Sequence, residues 1–145
     1  MSLSIELVGL DPRPARQAIY IRENGRRIEV TPEEYERRFP GRTPFVVDIP
    51  TTNTIWEGNI TGNLARMASA ADLYQSLWGI HSGMVAGDII QTLEDGLQRL
   101  LASPDVFKQY DAPNGWGTYE DFVGFLEELL EECKRHPEAA IRVYR

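Results

Sequence analysis

In the first fifty residues apolar and polar positions alternate in short runs. From residue 51 onward the apolar positions recur at helical spacing. Ser4 to Leu10 alternates weakly and predicts a first strand, ended by Asp11-Pro12-Arg13-Pro14. Between Ile19 and Val30, Asn24-Gly25 readily supplies the two positive φ angles of a type I′ turn. A two-residue hairpin closed there pairs Ile21 with Ile28 and Ile19 with Val30, and places all four on one face. Thr31-Pro32-Glu33-Glu34 then opens a short helix, with Thr31 as its cap, Pro32 in the first helical position and Glu34 reaching back to complete a capping box. Pro40-Gly41 ends that helix, and Pro44 to Ile49 reads as a mostly buried strand.

The composition changes at Thr51. Thr51, Thr52, Asn53, Thr54, Asn59, Thr61 and Asn63 crowd around Trp56 and Gly58. This segment predicts a polar loop leading into a helix over about residues 62–78, capped by Asn59 or Thr61. Leu64, Met67, Ala68, Ala71, Tyr74 and Trp78 form one apolar stripe on that helix, while Leu73 and Leu77 project from nearly the opposite side. A second apolar face is either packed within the protein or lent to a partner or a second copy of the chain. A further helix is expected over about 86–102, with Ile89, Ile90, Leu93, Leu97, Leu100 and Leu101 inward. Ser103-Pro104-Asp105 starts a brief helical turn bearing Val106 and Phe107. A last helix is capped by Thr118, striped by Phe122, Phe125, Leu126, Leu129, Leu130 and Cys133, and stopped by Pro137. Glu120 and Asp121 at its start and Lys134, Arg135 and His136 at its end suit the helix dipole. Ala139 to Tyr144 alternates and predicts an edge strand.

These elements define an α+β fold: a small, mainly antiparallel N-terminal sheet with its hairpin, packed against three longer C-terminal helices. A length of 145 residues suits a single domain (1–145), with a β-rich half at 1–50 and a helical half at 51–145. The lone cysteine, Cys133, excludes an internal disulfide. No apolar run has the length of a signal peptide or a membrane span, so a cytoplasmic location without membrane contact is expected.

The net charge of −7 is unevenly placed. Residues 1–50 carry eight basic and eight acidic side chains, whereas residues 51–145 carry seven and fourteen. An acidic surface repels phosphates, so direct nucleic-acid binding is not expected, despite the arginine cluster from Arg13 to Arg42. Glu127, Glu128, Glu131 and Glu132 are expected on the solvent face of the last helix, where they are a solvated surface or a docking face for a basic partner.

No residue pattern specifies a reaction. Cys133 and His136 are three apart on a helix, but Cys133 falls on the apolar stripe and only His81 could join them, so no metal is expected. His81 lies in Gly79-Ile80-His81-Ser82-Gly83, which matches neither a nucleophile elbow nor a phosphate loop. No cofactor is implied. Trp56, Asn59, Thr61 and Asn63 form the segment best suited to a ligand, since amides and hydroxyls orient a ligand and an indole supplies contact area. The same residues also serve as ordinary helix caps. Trp116, between two glycines, is the other candidate; its simplest role is to plug the core between the last two helices.

Asn59-Ile60-Thr61-Gly62-Asn63-Leu64, followed by Met67-Ala68, Leu73-Tyr74 and Trp78, resembles a pattern in a family of small uncharacterised proteins of bacteria and their phages. So does Asn114-Gly115-Trp116-Gly117-Thr118-Tyr119, followed by Phe122, Phe125-Leu126, Cys133, Pro137 and Arg142-Val143. The resemblance covers about residues 57–145 and implies a shared fold. Gly62 stands where the family carries a histidine, and the family has no established activity, so the resemblance transfers no catalytic residue. The functional expectation is a non-enzymatic binding or protein-interaction domain. The alternatives are a small-molecule-binding protein or enzyme using region 51–63, and an acidic phage-type inhibitor that mimics nucleic acid.

Overall fold

The computed structural model describes residues 2–145. Its chain is mixed α+β, with two small antiparallel sheets and several helices. The first sheet has β1 (Leu3–Arg13) at its centre, flanked by β5 (Thr52–Ile60) and β6 (Ala140–Tyr144). The second has β2 (Arg16–Glu23) at its centre, flanked by β3 (Arg26–Val30) and β4 (Val46–Ile49). The expected single N-terminal sheet is therefore two, and the first draws two of its three strands from the half expected to be helical. β1 runs past Pro12, beyond the expected stop. Proline is tolerated there because β1 has lost its β6 neighbour after Val8 and needs no donor on that side.

The β2–β3 hairpin has the predicted register, with Ile21 opposite Ile28 and Ile19 opposite Val30. Asn24 (φ 52°) and Gly25 (φ 77°) supply the left-handed turn. Ile19 and Val30 are buried, outside the main hydrophobic cluster. Helix α1 (Pro32–Arg38) begins as its sequence dictates, the Thr31 hydroxyl accepting from the Glu34 N–H at 3.1 Å. The Glu34 carboxylate accepts from Arg38 at 3.1 Å in place of the expected capping-box bond. The strand expected to be mostly buried over Pro44–Ile49 is the shorter edge strand β4, and Phe45 is 83% exposed just before it.

The main core lies between the first sheet and the helices α3 (Ile90–Ala102) and α5 (Tyr119–Arg135), with α4 (Pro104–Lys108) beside them. Leu3, Ile5 and Leu7 of β1 meet Leu93 and Leu100 of α3 and Phe122, Leu126 and Leu129 of α5, all fully buried. Leu101 and Val106, by contrast, are exposed, since their positions fall outside the packed stripes. Cys133 is in the core, where burial pushes its thiol up to about 12. The folded protein is therefore expected to resist alkylation by iodoacetamide at pH 8 and to react fully once unfolded in guanidinium, as measured by intact mass.

The expected helix over 62–78 is largely absent. A 3₁₀ turn at Gly62–Leu64 leads into α2 (Ala65–Ala70), which stops after only six residues. Its end is a Schellman motif: Asp72 takes φ 59°, the Leu73 N–H donates to Ala68 O at 2.7 Å, and the Asp72 N–H donates to Ser69 O at 3.1 Å. This turn swings Leu73 and Leu77 into the core, where both are fully buried. They are not a surface for a partner or for self-association, because the second apolar face they implied belongs to a helix that ends before reaching them. A glycine accepts a positive φ without steric cost, so Asp72→Gly is expected to raise stability by up to about 1 kcal/mol in urea unfolding.

The acidic face of α5 stays in contact with solvent, as expected, but two of its four carboxylates also meet the hairpin. Arg26 forms an ion pair with Glu131 at 2.6 Å, and the Arg27 N–H donates to Glu128 at 3.4 Å. The basic hairpin of the same chain thus sits on the acids. Its tip lies so close to α5 that a Cβ on Gly25 would come within 2.5 Å of Glu120 O. No helix among the described residues is long and apolar enough to cross a membrane.

Candidate functional site

The segment expected to be a polar loop is strand β5, and alternation along it decides where its side chains go. Leu3 pairs with Ile60, Ile5 with Gly58 and Leu7 with Trp56, so these even-numbered residues of β5 face the core side. Ile55 is the extra residue of a bulge, since Leu7 pairs with Trp56 and Val8 with Thr54. Asn59 falls on the opposite face from Trp56, and its amide donates to the Ser4 hydroxyl at 2.7 Å. Thr61 is a cap, as one reading of the sequence has it: its hydroxyl accepts from the Asn63 N–H at 3.3 Å.

The Trp56 ring packs on Phe125 of α5, with centroids 5.7 Å apart and planes at 55°. Residue 58 has no space for a side chain, since a Cβ there would overlap the indole. The indole N–H of Trp56 is buried and has no hydrogen-bond partner among the described residues. An unpaired buried donor costs about 1–3 kcal/mol. Trp56 borders a cavity of about 220 Å³ enclosed by the hairpin tip, β5 and α5. Arg22 and Arg27 of the hairpin and Asp121 and Glu128 of α5 line it, together with the apolar side chains of Phe125 and Leu64. The Arg27 guanidinium donates to Glu57 O at 3.1 Å and lies over the Tyr20 ring, 4.9 Å from its centroid.

A second arrangement joins the segments around Asn63 and Trp116. The Asn63 amide donates to Trp116 O at 2.8 Å, and Asn114 Oδ1 accepts from the Trp116 N–H at 3.0 Å. The loop is braced further by Ala112 N–H to Gly117 O at 3.0 Å, and by Asp111, whose carboxylate accepts from the Tyr119 N–H at 2.7 Å. Gly115 (φ 78°) and Gly117 (φ 115°) bend the chain on either side of Trp116. Gly117 also needs its missing side chain: a Cβ there would lie 2.9 Å from the Thr61 methyl and 3.3 Å from Asn63 Cβ. Trp116 itself is 73% exposed, so it does not plug the core as expected; the loop turns its ring outward.

The five residues singled out in the sequence therefore divide. Trp56, Asn59 and Thr61 border the cavity; Asn63 and Trp116 are bound to each other outside it. The charged rim of Arg22, Arg27, Asp121 and Glu128 was not foreseen. Its signal in the sequence is the pair of arginines at matching positions of the hairpin, which the register sets side by side. Among the described residues no group of three or more His, Cys, Asp or Glu side chains is placed to hold a metal ion. No family model, curated protein or solved structure matches this chain.

Proposed function

We propose that the protein is a non-enzymatic binding module that engages a protein partner through Trp116. The observation that carries this reading is an indole 73% exposed on a backbone that is hydrogen-bonded on both sides of it. Leaving a large apolar side chain in water forgoes about 2–3 kcal/mol of burial, and four hydrogen bonds brace the backbone that presents it. Tryptophan is the residue type most enriched at the energetic centres of protein interfaces. A loop backbone already fixed in place also loses little conformational freedom on binding. The acidic C-terminal two-thirds of the chain favours a partner with a basic rim around an apolar pocket.

The test is affinity capture from extracts of the native host with wild-type and Trp116→Ala baits. Trp116→Ala is expected to keep its stability within about 0.5 kcal/mol, because the lost side chain is a surface one, and to lose a protein that the wild type retains. Asn63→Ala, which leaves the indole but frees its carbonyl, should weaken retention of the same protein. Identical captured proteins for all three baits would remove the basis for this reading.

A further inference from the structure

We propose that the cavity beside Trp56 binds a small zwitterion of the α-amino-acid class. The inference starts from an electrostatic oddity. Arg22 and Arg27 are directly opposed across the hairpin, a like-charge pairing that destabilises a sheet unless something compensates it. Across the cavity, Asp121 and Glu128 are seven residues apart on α5, which places both on one face of the helix, two turns from each other. None of these four groups forms an ion pair within 4.0 Å with another described side chain, although elsewhere the hairpin and α5 do pair, as Arg26 with Glu131. Two cations and three anions, Glu57 of β5 being the third, thus border one small space with no ion pair among them.

A ligand that carries both signs answers both poles. Paired guanidiniums suit a carboxylate, which accepts several N–H bonds at once. The carboxylates of Asp121 and Glu128 suit an ammonium. Trp56 and Phe125 give the cavity its aromatic wall. A volume of about 220 Å³ is below the usual range for drug-sized ligands, roughly 300–1,000 Å³. It suits a molecule of amino-acid size.

The experiment titrates the full chain with each of the twenty free α-amino acids, and with the N-acetyl and C-amide forms of any that bind, by calorimetry and thermal shift. At least one free amino acid is expected to bind saturably and raise the melting temperature. Blocking either its amine or its carboxylate should weaken binding about tenfold or more. Arg22→Gln and Asp121→Asn, both at exposed positions, should each weaken it by a similar factor without lowering the unliganded melting temperature, which Arg22→Gln should raise by relieving the like-charge pairing. Binding should also move the indole ¹⁵N–¹H resonance that Trp56→Phe removes. Failure of every amino acid to bind at millimolar concentration overturns the proposal. So does equal binding of the blocked forms, which would mark a site for a simple anion or an apolar group.

Discussion

Leu73→Ala is expected to lower the unfolding free energy by about 2–5 kcal/mol, the range for deleting a fully buried leucine side chain from a core that relaxes only in part. The expectation depends on the Schellman turn at Asp72, which sends Leu73 inward. Were the helix continuous, Leu73 would lie on an outer face and its loss would cost within about 0.5 kcal/mol. The two outcomes are separated by several-fold. Gly96 of α3 offers a second check, because a Cβ there would lie 2.7 Å from Leu73 Cδ1. Gly96→Ala alone should therefore destabilise, although alanine is the better helix former by about 1 kcal/mol. In a Leu73→Ala background the same methyl enters vacated space, so the double variant should be more stable than the sum of the single effects implies. Urea unfolding of the four proteins gives the coupling energy, and simple additivity would place the two residues apart.

Gly124→Ala sets two effects of known size against each other. Gly124 lies inside α5, where alanine again gains about 1 kcal/mol of helix propensity. A Cβ at this position, however, would lie 2.7 Å from the carbonyl carbon of Gly25 and 3.2 Å from the Arg26 nitrogen. Both atoms are backbone, so no rotamer change relieves the overlap, and the hairpin must lift as a unit. Lifting it also strains the Arg26–Glu131 pair and opens the cavity wall. Overpacking of this kind costs about 1–3 kcal/mol or more, so net destabilisation is expected in chemical denaturation. It should be accompanied by faster hydrogen exchange at the hairpin amides. A stabilised Gly124→Ala protein would mean that the hairpin does not rest on α5 in solution.

What was legible in the sequence was what local chemistry decides. Asn24-Gly25 allows few backbone geometries, and those geometries set the hairpin register. Thr118, the apolar stripe ending at Cys133, and Pro137 mark both ends and the inner face of α5. Strand β5 was obscured because asparagine and glycine favour loops, while Thr52, Thr54, Trp56 and Ile60 carry a strand's two-residue period beneath them. The stop at Asp72 was hidden for a different reason. Most Schellman turns announce themselves with glycine, and here aspartate occupies the left-handed position, so the stripe through Tyr74 and Trp78 kept helical spacing after the helix had ended. Those two rings still stack, 5.5 Å apart and 7° from parallel.

The candidate site was half visible. Trp56 and Thr61 stand out by residue type, and they do border the cavity. Its charged rim comes from two elements that look ordinary in isolation, a basic hairpin and an acidic helix face. Only their docking, which depends on the absence of side chains at Gly25 and Gly124, sets Arg22 and Arg27 against Asp121 and Glu128. Close approach of two backbones leaves no pattern of hydrophobic residues to read.

The central position of β1 has a consequence for how the molecule is assembled. Leu3, Ile5 and Leu7 are fully buried, yet one side of their strand is occupied by residues 140–144, with Ser4 opposite Tyr144. On the ribosome that side stays vacant until nearly the whole described chain has been translated, and a vacant strand edge is a template for pairing with foreign chains. Contacts that span so much sequence also slow folding. β1 is therefore among the last strands to be completed, and a nascent chain must keep Leu3, Ile5 and Leu7 from other partners until residues 140–144 have been made.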